Sequence, residues 1–221
     1  MKPLIILSSF LIFFFTSCEK EDFKTIGSIK DIEGNSYETV IIGDQIWMAE
    51  NLRTTTYNDG TPIEYVQDWN LKKGQYCWYD HDEGNKKPYG ALYNWYAVNT
   101  GKLAPEGWRI PTYKDWEELK EILGGKLITG GKMKKRGDGI WEEPNKLFNP
   151  DCGFNAYPGG GVLSGQFYDF KNIVYLWTAN QDETEFALFY SLENNSTALS
   201  GTNAHKTYFL SVRCIKEKKF S

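Results

Sequence analysis

The sequence has little of the side-chain chemistry on which most enzymes depend. Its 221 residues include only two histidines, His81 and His205, each in a polar stretch. The chain carries no Cys-x-x-Cys pair, no His-Glu-x-x-His motif and no serine framed as in a nucleophile elbow. We therefore expect no metal, no cofactor and no catalytic residue, and we interpret the protein as a non-enzyme.

The chain also has no large excess of charge of one sign. The formal net charge at pH 7 is −4, without a long block of like charges. Because binding of nucleic acid needs a concentrated basic face, we expect no nucleic-acid partner. One small basic cluster remains, and we interpret it as a solvated surface turn. It consists of Lys132, Lys134, Lys135 and Arg136.

The sequence has one long hydrophobic run, which lies near the start of the chain. Leu4–Phe15 is apolar except for Ser8 and Ser9, and it follows a positive charge at Lys2. A run of about a dozen residues is too short to span a bilayer as a helix but is typical of a signal peptide. We therefore predict that residues 1–17 are a signal peptide.

The end of this run predicts a lipid anchor. Thr16, Ser17 and Cys18 resemble the lipobox of bacterial lipoproteins, in which the cysteine is acylated and becomes the new N-terminus. The charged residues 19–22 resemble the signal that sends lipoproteins to the cell surface in Bacteroidetes-type bacteria. We predict attachment to the outer membrane through acyl chains such as palmitate on Cys18, with surface display. The alternative is an ordinary cleaved signal in which Cys18 is incidental.

Alternating apolar and polar residues predict strands in three regions. Residues 37–48 (YETVIIGDQIWM) are expected to form a hairpin around Gly43-Asp44, and Gln75–Tyr79 a short aromatic strand. Toward the C-terminus we predict an antiparallel meander. Its strands are 174–178, 186–192, 196–200 and 207–215, with turns at Asn194-Asn195 and Gly201–Asn203.

Two helices are predicted within Tyr89–Gly125. The first has a mostly aromatic face and ends at Gly101. The second begins after the N-cap Thr112, has Asp115 in place for a capping box, and ends at Gly124-Gly125. The faces are Leu92, Trp95, Tyr96 and Asn99 in the first helix and Trp116, Leu119, Ile122 and Leu123 in the second. The tryptophans that we expect inside the core are Trp95, Trp108 and Trp116.

Two short loops resemble ligand sites but depart from the patterns that such sites need. Asp80–Asn85 is a carboxylate run closed by Gly, yet it lacks the alternating acids and the terminal Glu of a calcium loop. Gly130–Lys132 suggests a phosphate loop, yet Met133 replaces the required Ser or Thr. We interpret the first as a solvated loop and the second as a glycine-rich turn.

Several motifs occur in the order known from one family. They are GDQIWMAENLRTTTYNDG (43–60), YCWYD (76–80), YGALYNWYAVNTGKL-P-GW--P (89–111), W-EL---LGG (116–125), GFNA-PGG (153–160) and SVRCIK (211–216). The stretch 32–217 therefore resembles the Fibrobacter succinogenes major paralogous domain, a family similar to C-type lectin-like domains. The resemblance implies an α+β fold with two helices flanking a small, twisted antiparallel sheet and with the first and last strands close together. The chain would then divide into a signal peptide (1–17), a lipidated N-terminus and tether (18–31), this domain (32–217) and a tail (218–221).

The remaining cysteines, Cys77, Cys152 and Cys214, permit at most one intrachain disulfide. Their spacing does not choose the pair. The family commonly has Cys where this chain has Ala104, and His where it has Arg109. If the usual Cys pairs with the C-terminal one, Cys214 has lost its partner here, and the resemblance suggests a Cys152–Cys214 disulfide.

The resemblance and the lack of catalytic groups together favour a surface-exposed lipoprotein with a non-catalytic binding module for a protein or glycan. Aromatic and amide groups of the C-terminal strands are the candidates for ligand contacts, and the alternative is that they are core residues and turn formers. They are Trp177, Asn180, Tyr190, Asn194 and Asn203. A self-assembling adhesin or structural envelope protein is the second hypothesis. An enzyme similar to formylglycine-generating enzymes is the third, weakened because Cys214 has no neighbouring cysteine.

Overall fold

The computed structural model describes residues 24–147 and 151–216. The predicted signal peptide, Cys18 and the tail 218–221 lie outside these residues. The described chain is α+β, with two sheets and four short helices. None of these helices is long and apolar enough to cross a membrane.

The strands are β1 (Lys24–Lys30), β2 (Ser36–Ile42), β3 (Gln45–Met48), β4 (Glu64–Tyr65), β5 (Gln75–Cys77), β6 (Leu92–Asn94), β7 (Trp108–Arg109), β8 (Gly159–Leu163), β9 (Gln166–Phe170), β10 (Ile173–Gln181), β11 (Phe186–Glu193), β12 (Ser200–His205), β13 (Phe209–Leu210) and β14 (Ile215–Lys216). The helices are α1 (Lys86–Tyr89), α2 (Trp95–Val98), α3 (Tyr113–Ile122) and α4 (Lys126–Met133). Two single turns of 3-10 helix, Tyr79–His81 and Glu83–Asn85, precede α1.

The smaller sheet has five strands in the order β1-β2-β3-β14-β7. The predicted hairpin is confirmed, because Ile42 pairs with Gln45 across Gly43-Asp44, and Gly43 has the positive φ of 58° that a tight turn needs. Residues 24–30, expected in the tether, form β1 and extend this sheet. The last strand, β14, lies between β3 and β7, so both ends of the described chain belong to one sheet, with β2 and β3 between the first strand and the last.

The larger sheet has nine strands, in the order β12-β11-β10-β8-β13-β6-β5-β4 with β9 paired to β8. The antiparallel pairing of β10 with β11 and of β11 with β12 confirms the central part of the predicted meander. Three details were wrong: residues 196–199 precede β12, the predicted turn at Gly201–Asn203 lies within β12, and 207–215 does not form one strand. That last segment enters both sheets, as β13 in this one and β14 in the other, and so joins them.

The second predicted helix is confirmed as α3, and its capping box is formed. The Asp115 carboxylate accepts hydrogen bonds from the backbone N–H of Thr112 at 2.7 Å and from its hydroxyl at 2.6 Å. The first predicted helix is much shorter than expected. Leu92–Asn94 is the strand β6, and only Trp95–Val98 is helical. Pairing with β5 and β13 outweighs the helical spacing of the aromatic residues.

The glycine-rich turn expected around Gly130 is instead part of a helix, α4. Glycines are poor helix formers, so local propensity does not predict this element. Packing explains why a glycine stands at position 130, because a Cβ placed there would lie 2.2 Å from the carbonyl oxygen of Ala198. The helix therefore needs a residue without a side chain where it touches the chain before β12.

Aromatic side chains fill the core between the sheets and helices. Trp95, Trp108 and Trp116 are buried, as predicted. The ring of Trp116 lies 4.9 Å from that of Trp47 and 5.1 Å from that of Tyr190, both centroid to centroid. These ring contacts join α3 to both sheets. They stabilise the protein beyond what the burial of apolar surface contributes.

A buried arginine joins three distant segments of the chain. Arg213 is fully buried and donates hydrogen bonds to the carbonyl of Met48 at 3.0 Å, to Oδ1 of Asn51 at 2.7 Å and to the carbonyl of Phe154. Burial lowers the pKa of Arg213 to about 9. Since carbonyl and amide oxygens surround it, the guanidinium is a structural tie between the first hairpin, the GFNA segment and the C-terminal strand.

Candidate functional site

Two of the residues predicted to contact a ligand are core residues. Trp177 is fully buried, and its indole N–H donates to the carbonyl of Tyr93 at 2.8 Å. Tyr190 is buried against Trp116, and its hydroxyl donates to the carboxylate of Glu117. The prediction of ligand contacts was therefore wrong for both side chains, and the alternative interpretation as strand core is correct. The cause is that β10 and β11 turn these rings toward the core instead of the solvent.

The three predicted asparagines do not converge on one site. Asn194 is buried and donates to the carbonyl of Glu142 and to the side chain of Asn172, so it is a loop-forming residue and the ligand prediction was wrong. Asn180 and Asn203 are exposed. The Asn180 side chain accepts a hydrogen bond from the first N–H of α3, and the Asn203 side chain donates to Asp182.

The predicted disulfide is not formed. Cys77, Cys152 and Cys214 are free thiols, all three buried. Cys152 and Cys214 pack in different hydrophobic clusters. Burial raises the pKa of Cys152 to about 12 and that of the other two thiols higher still, so at neutral pH they carry no thiolate that could act as a nucleophile.

The basic cluster is not a uniformly solvated turn, because its second member lies inside the protein. Lys134 is fully buried, and its ammonium donates to the carbonyl oxygens of Lys146, Asn194 and Ser196 at 2.8–3.0 Å. The same nitrogen lies 5.1 Å from the ring centroid of Trp141. Lys134 therefore holds the loop after β11 onto the end of α4, and the prediction of a surface turn was wrong for this residue.

A cluster of partly exposed rings lies at the β4 end of the larger sheet. Tyr65 from β4, Trp69 from the following loop, His81 from the turn after β5 and Phe167 from β9 form this aromatic surface. The imidazole of His81 lies 5.2 Å from the ring of Phe167 and 5.8 Å from that of Trp69, centroid to centroid. Its Nδ1 shares a 2.8 Å hydrogen bond with the Tyr65 hydroxyl. Three segments of the chain thus bring four rings into contact, with Phe167 edge-on to Trp69 and His81. Tyr65, Trp69 and Phe167 are partly buried, and His81 is exposed.

The backbone around the aromatic surface has unusual conformations that hold it in place. Asp80 and His81 have positive φ values of 52° and 57°, which cost free energy for residues with a Cβ. The two-residue turn Ser164-Gly165 between β8 and β9 supports Trp69 from the other side. A Cβ on Gly165 would lie only 3.0 Å from Cδ1 of Trp69, so the indole rests directly on the turn backbone.

Sequence reasoning missed this surface. The segment around His81 was interpreted as a solvated loop, and residues 80–84 are exposed, His81 included; what the interpretation missed is that the imidazole contacts other rings. The available signals were Trp69 and His81, which are large rings in otherwise polar stretches. The pairing of β8 with β9 that brings Phe167 to Trp69 and His81 is a long-range contact, which local patterns do not encode.

Apart from the aromatic surface, the protein has a cleft of about 260 Å³ beside the start of α3. Its wall is mostly apolar, and it contains the two positions that depart from the family pattern, Ala104 and Arg109. Arg109 does not project into the cleft as a free charge, because it donates to both carboxylate oxygens of Asp115 at 2.7 and 2.8 Å. Burial opposes ionisation of Asp115, but these hydrogen bonds and those from Thr112 lower its pKa.

In the part of the chain that the structure describes, no group of three or more His, Cys, Asp or Glu residues is placed to hold a metal ion. The two histidines lie in separate surroundings, since His81 contacts Tyr65 and the Nδ1 of His205 lies 2.8 Å from the hydroxyl of Thr207. The described residues thus gather apolar rings in one place but do not bring the histidines and thiols together.

Comparison with known proteins adds one finding. No curated protein and no solved structure matches this chain. Residues 40–216 match the model of the Fibrobacter succinogenes major domain, and this stretch contains both helices predicted from the sequence, the end of β2 and all of the strands β3 to β14. Because the match covers most of the sequence and follows the motif order noted above, the chain belongs to the Fibrobacter succinogenes major domain family.

Proposed function

We propose that this protein is a non-catalytic binding module, with a C-type lectin-like fold, that is held to the outer membrane by lipid on Cys18 and displayed at the cell surface. The fold part is supported by a small sheet that contains both the first and the last strand and by the capped helix α3. The anchor part is supported by the lipobox-like Thr16-Ser17-Cys18.

The observation that carries the binding role is the aromatic surface. Isolated exposed apolar residues are common on proteins, but contiguous ones usually mark a contact site. Here four rings contact one another at the surface and are held by a costly backbone conformation at Asp80 and His81. Strain of this kind persists where a fixed geometry is useful, and a rigid aromatic face lowers the entropy lost on binding.

The chemistry of the described residues supports binding over catalysis. Buried, protonated thiols are poor nucleophiles, and a general base needs a partner that orients it toward a substrate. Among the described residues, the one hydrogen-bond partner of the His81 ring is the Tyr65 hydroxyl, which belongs to the aromatic surface. Rings that stack on a ligand need no activated group, which is what this surface provides.

An array of immobilised glycans and extracellular proteins, probed with the full-length protein in detergent, tests the proposed function. We expect binding to at least one class of spot and a loss of about tenfold or more in the Trp69→Ala/Phe167→Ala double variant, because truncated aromatic contacts dominate small interfaces. The matched control is Tyr168→Ala. Tyr168 is 44% exposed on the same strand but, by strand alternation, faces away from Phe167. Binding that is absent, or equal in all three proteins, contradicts the proposal.

A further inference from the structure

We propose that the cleft beside α3 is the docking site of the chain's own segment 217–221, with the ring of Phe220 inside the cleft. This segment follows β14, lies outside the described residues and reads Glu-Lys-Lys-Phe-Ser, in which Phe220 is the one apolar side chain. Docking would cover the apolar wall of the cleft and hold the end of β14 in place. The proposal concerns a different surface from the aromatic one, so it does not depend on the proposed function.

The size and the wall of the cleft suit a single large apolar side chain. Its volume is about 260 Å³, which is below the range of about 300–1,000 Å³ that is typical of pockets for drug-sized ligands. Four aliphatic side chains of the wall belong to one hydrophobic cluster of the core. They are Val98, Leu103, Ala104 and Ile110. A phenylalanine ring that enters the cleft removes this surface and its own from water, which is favourable.

The strand pairing of β14 directs the segment toward the cleft. Lys216, the last residue of β14, lies opposite Trp108 in an antiparallel ladder, so the chain beyond it runs past Trp108 toward lower residue numbers. On that side a turn is closed by a 3.0 Å hydrogen bond from the N–H of Trp108 to the carbonyl of Pro105. The turn keeps Ala104 near Trp108. An extended chain of four residues reaches about 13 Å, which allows Phe220 to reach the Ala104 side of the cleft.

Strand alternation puts position 220 on the face of the sheet that contains the cleft. Residues directly opposite each other in a ladder share a face, so Lys216 shares the face of Trp108, which lines the cleft. Cys214, two residues before Lys216, packs in the same hydrophobic cluster as Trp108. In an extended chain, positions 218 and 220 follow on this face, and of these only Phe220 is apolar.

The small contact area favours the chain's own segment over a separate partner. One ring buries little beside the total of about 1,200 Å² or more that specific protein interfaces bury, so a separate chain that offered only this contact would dissociate. A segment attached four residues away has an effective concentration on the order of millimolar, which compensates for a weak contact. The charges agree, because Glu106 is exposed in the turn before Trp108 and attracts the ammonium groups of Lys218 and Lys219.

Tryptic cleavage after Lys218 and Lys219, measured by intact-mass spectrometry on the full-length protein in detergent, tests whether the segment is docked. Synthetic peptides that cover residues 211–221 of each variant give the rates for an undocked segment. We expect the wild-type protein to be cleaved at these bonds about tenfold more slowly than its peptide, because cleavage follows the undocked fraction. Phe220→Ala should lose this protection, and the control Ser221→Ala should keep it. Wild-type cleavage at the peptide rate, or protection that survives Phe220→Ala, overturns the proposal.

A photo-crosslinker at position 220 locates the ring. We expect p-benzoylphenylalanine in place of Phe220 to crosslink within residues 98–112 or at Ala179 of the same chain, where the cleft is lined. Crosslinks to other parts of the chain would show that the cleft is not the docking site. Covalent dimers would assign the cleft to the segment of a second copy and so overturn docking within one chain.

Discussion

Buried cations without a carboxylate partner are the main feature of this protein at the residue scale. Lys134 and Arg213 are fully buried, and both are held by backbone carbonyls. Each charge replaces its hydration shell with carbonyl dipoles from segments far apart in sequence, so its hydrogen bonds bring those segments together. A cation in such a place is costly to bury and more costly to leave without acceptors.

The pH dependence of stability tests the burial of Lys134. Burial lowers its pKa from 10.5 to about 8, so between these values the unfolded chain binds more protons than the folded protein. Stability therefore rises with pH across this window, on the order of 2 kcal/mol from this residue. Urea unfolding at pH 8 and at pH 10.5 should show this rise in the wild type relative to Lys134→Met. The neighbouring Lys135→Met variant should keep the rise, and a pH-independent difference between wild type and Lys134→Met would contradict the prediction.

At the scale of elements, the chain uses short segments whose ends are determined by their neighbours. The helix α3 begins at a capping box that the sequence shows, and Arg109 adds two hydrogen bonds to the same carboxylate. The helix α4 contains Gly130 where local propensity opposes a helix. The helix lies so close to the carbonyl of Ala198 that only a residue without a side chain fits at position 130.

Substitution of Gly130 separates propensity from packing in α4. In an ordinary helix Gly→Ala stabilises by about 1 kcal/mol. Here the added Cβ would meet backbone 2.2 Å away, so we expect Gly130→Ala to destabilise the protein by about 2 kcal/mol or more. Leu127→Ala is the control in the same helix, because Leu127 is 74% exposed and its loss should change stability by about 0.5 kcal/mol or less. Thermal unfolding measures both, and a stabilised Gly130→Ala variant would mean that the contact does not exist.

At the scale of the whole molecule, the proposed anchor precedes, in the sequence, a strand of one sheet, and the proposed ligand surface lies on the other sheet. Cys18 precedes β1, an edge strand of the five-stranded sheet, by six residues. The aromatic surface lies at the β4 end of the nine-stranded sheet and on the β8–β9 hairpin. The buried ties at Arg213 and the two-sheet segment that contains β13 and β14 connect these parts.

Lipid attachment is tested by metabolic labelling with an alkyne palmitate analogue in a bacterial host. We expect the wild type to be labelled and to fractionate with membranes, and Cys18→Ala to lose the label and the membrane association, because acyl chains on this cysteine supply the anchor. Ser17→Ala keeps a small residue before the cysteine and should remain labelled. Label retained on Cys18→Ala would show that the cysteine is incidental to export.

The sequence by itself determined the features that short spacing encodes. The hairpin around Gly43-Asp44 and the helix after Thr112 depend on neighbours within a few residues, and both are present. Tertiary structure decided the direction in which side chains face. The local context of Trp177 leaves both a core and a surface position open, and that of Lys134 favours the surface, but the tertiary structure buries both side chains. Equally, only the contact between the β8–β9 hairpin and the turn after β5 brings His81 to Phe167, because burial and strand pairing are properties of the whole chain and not of a window along it.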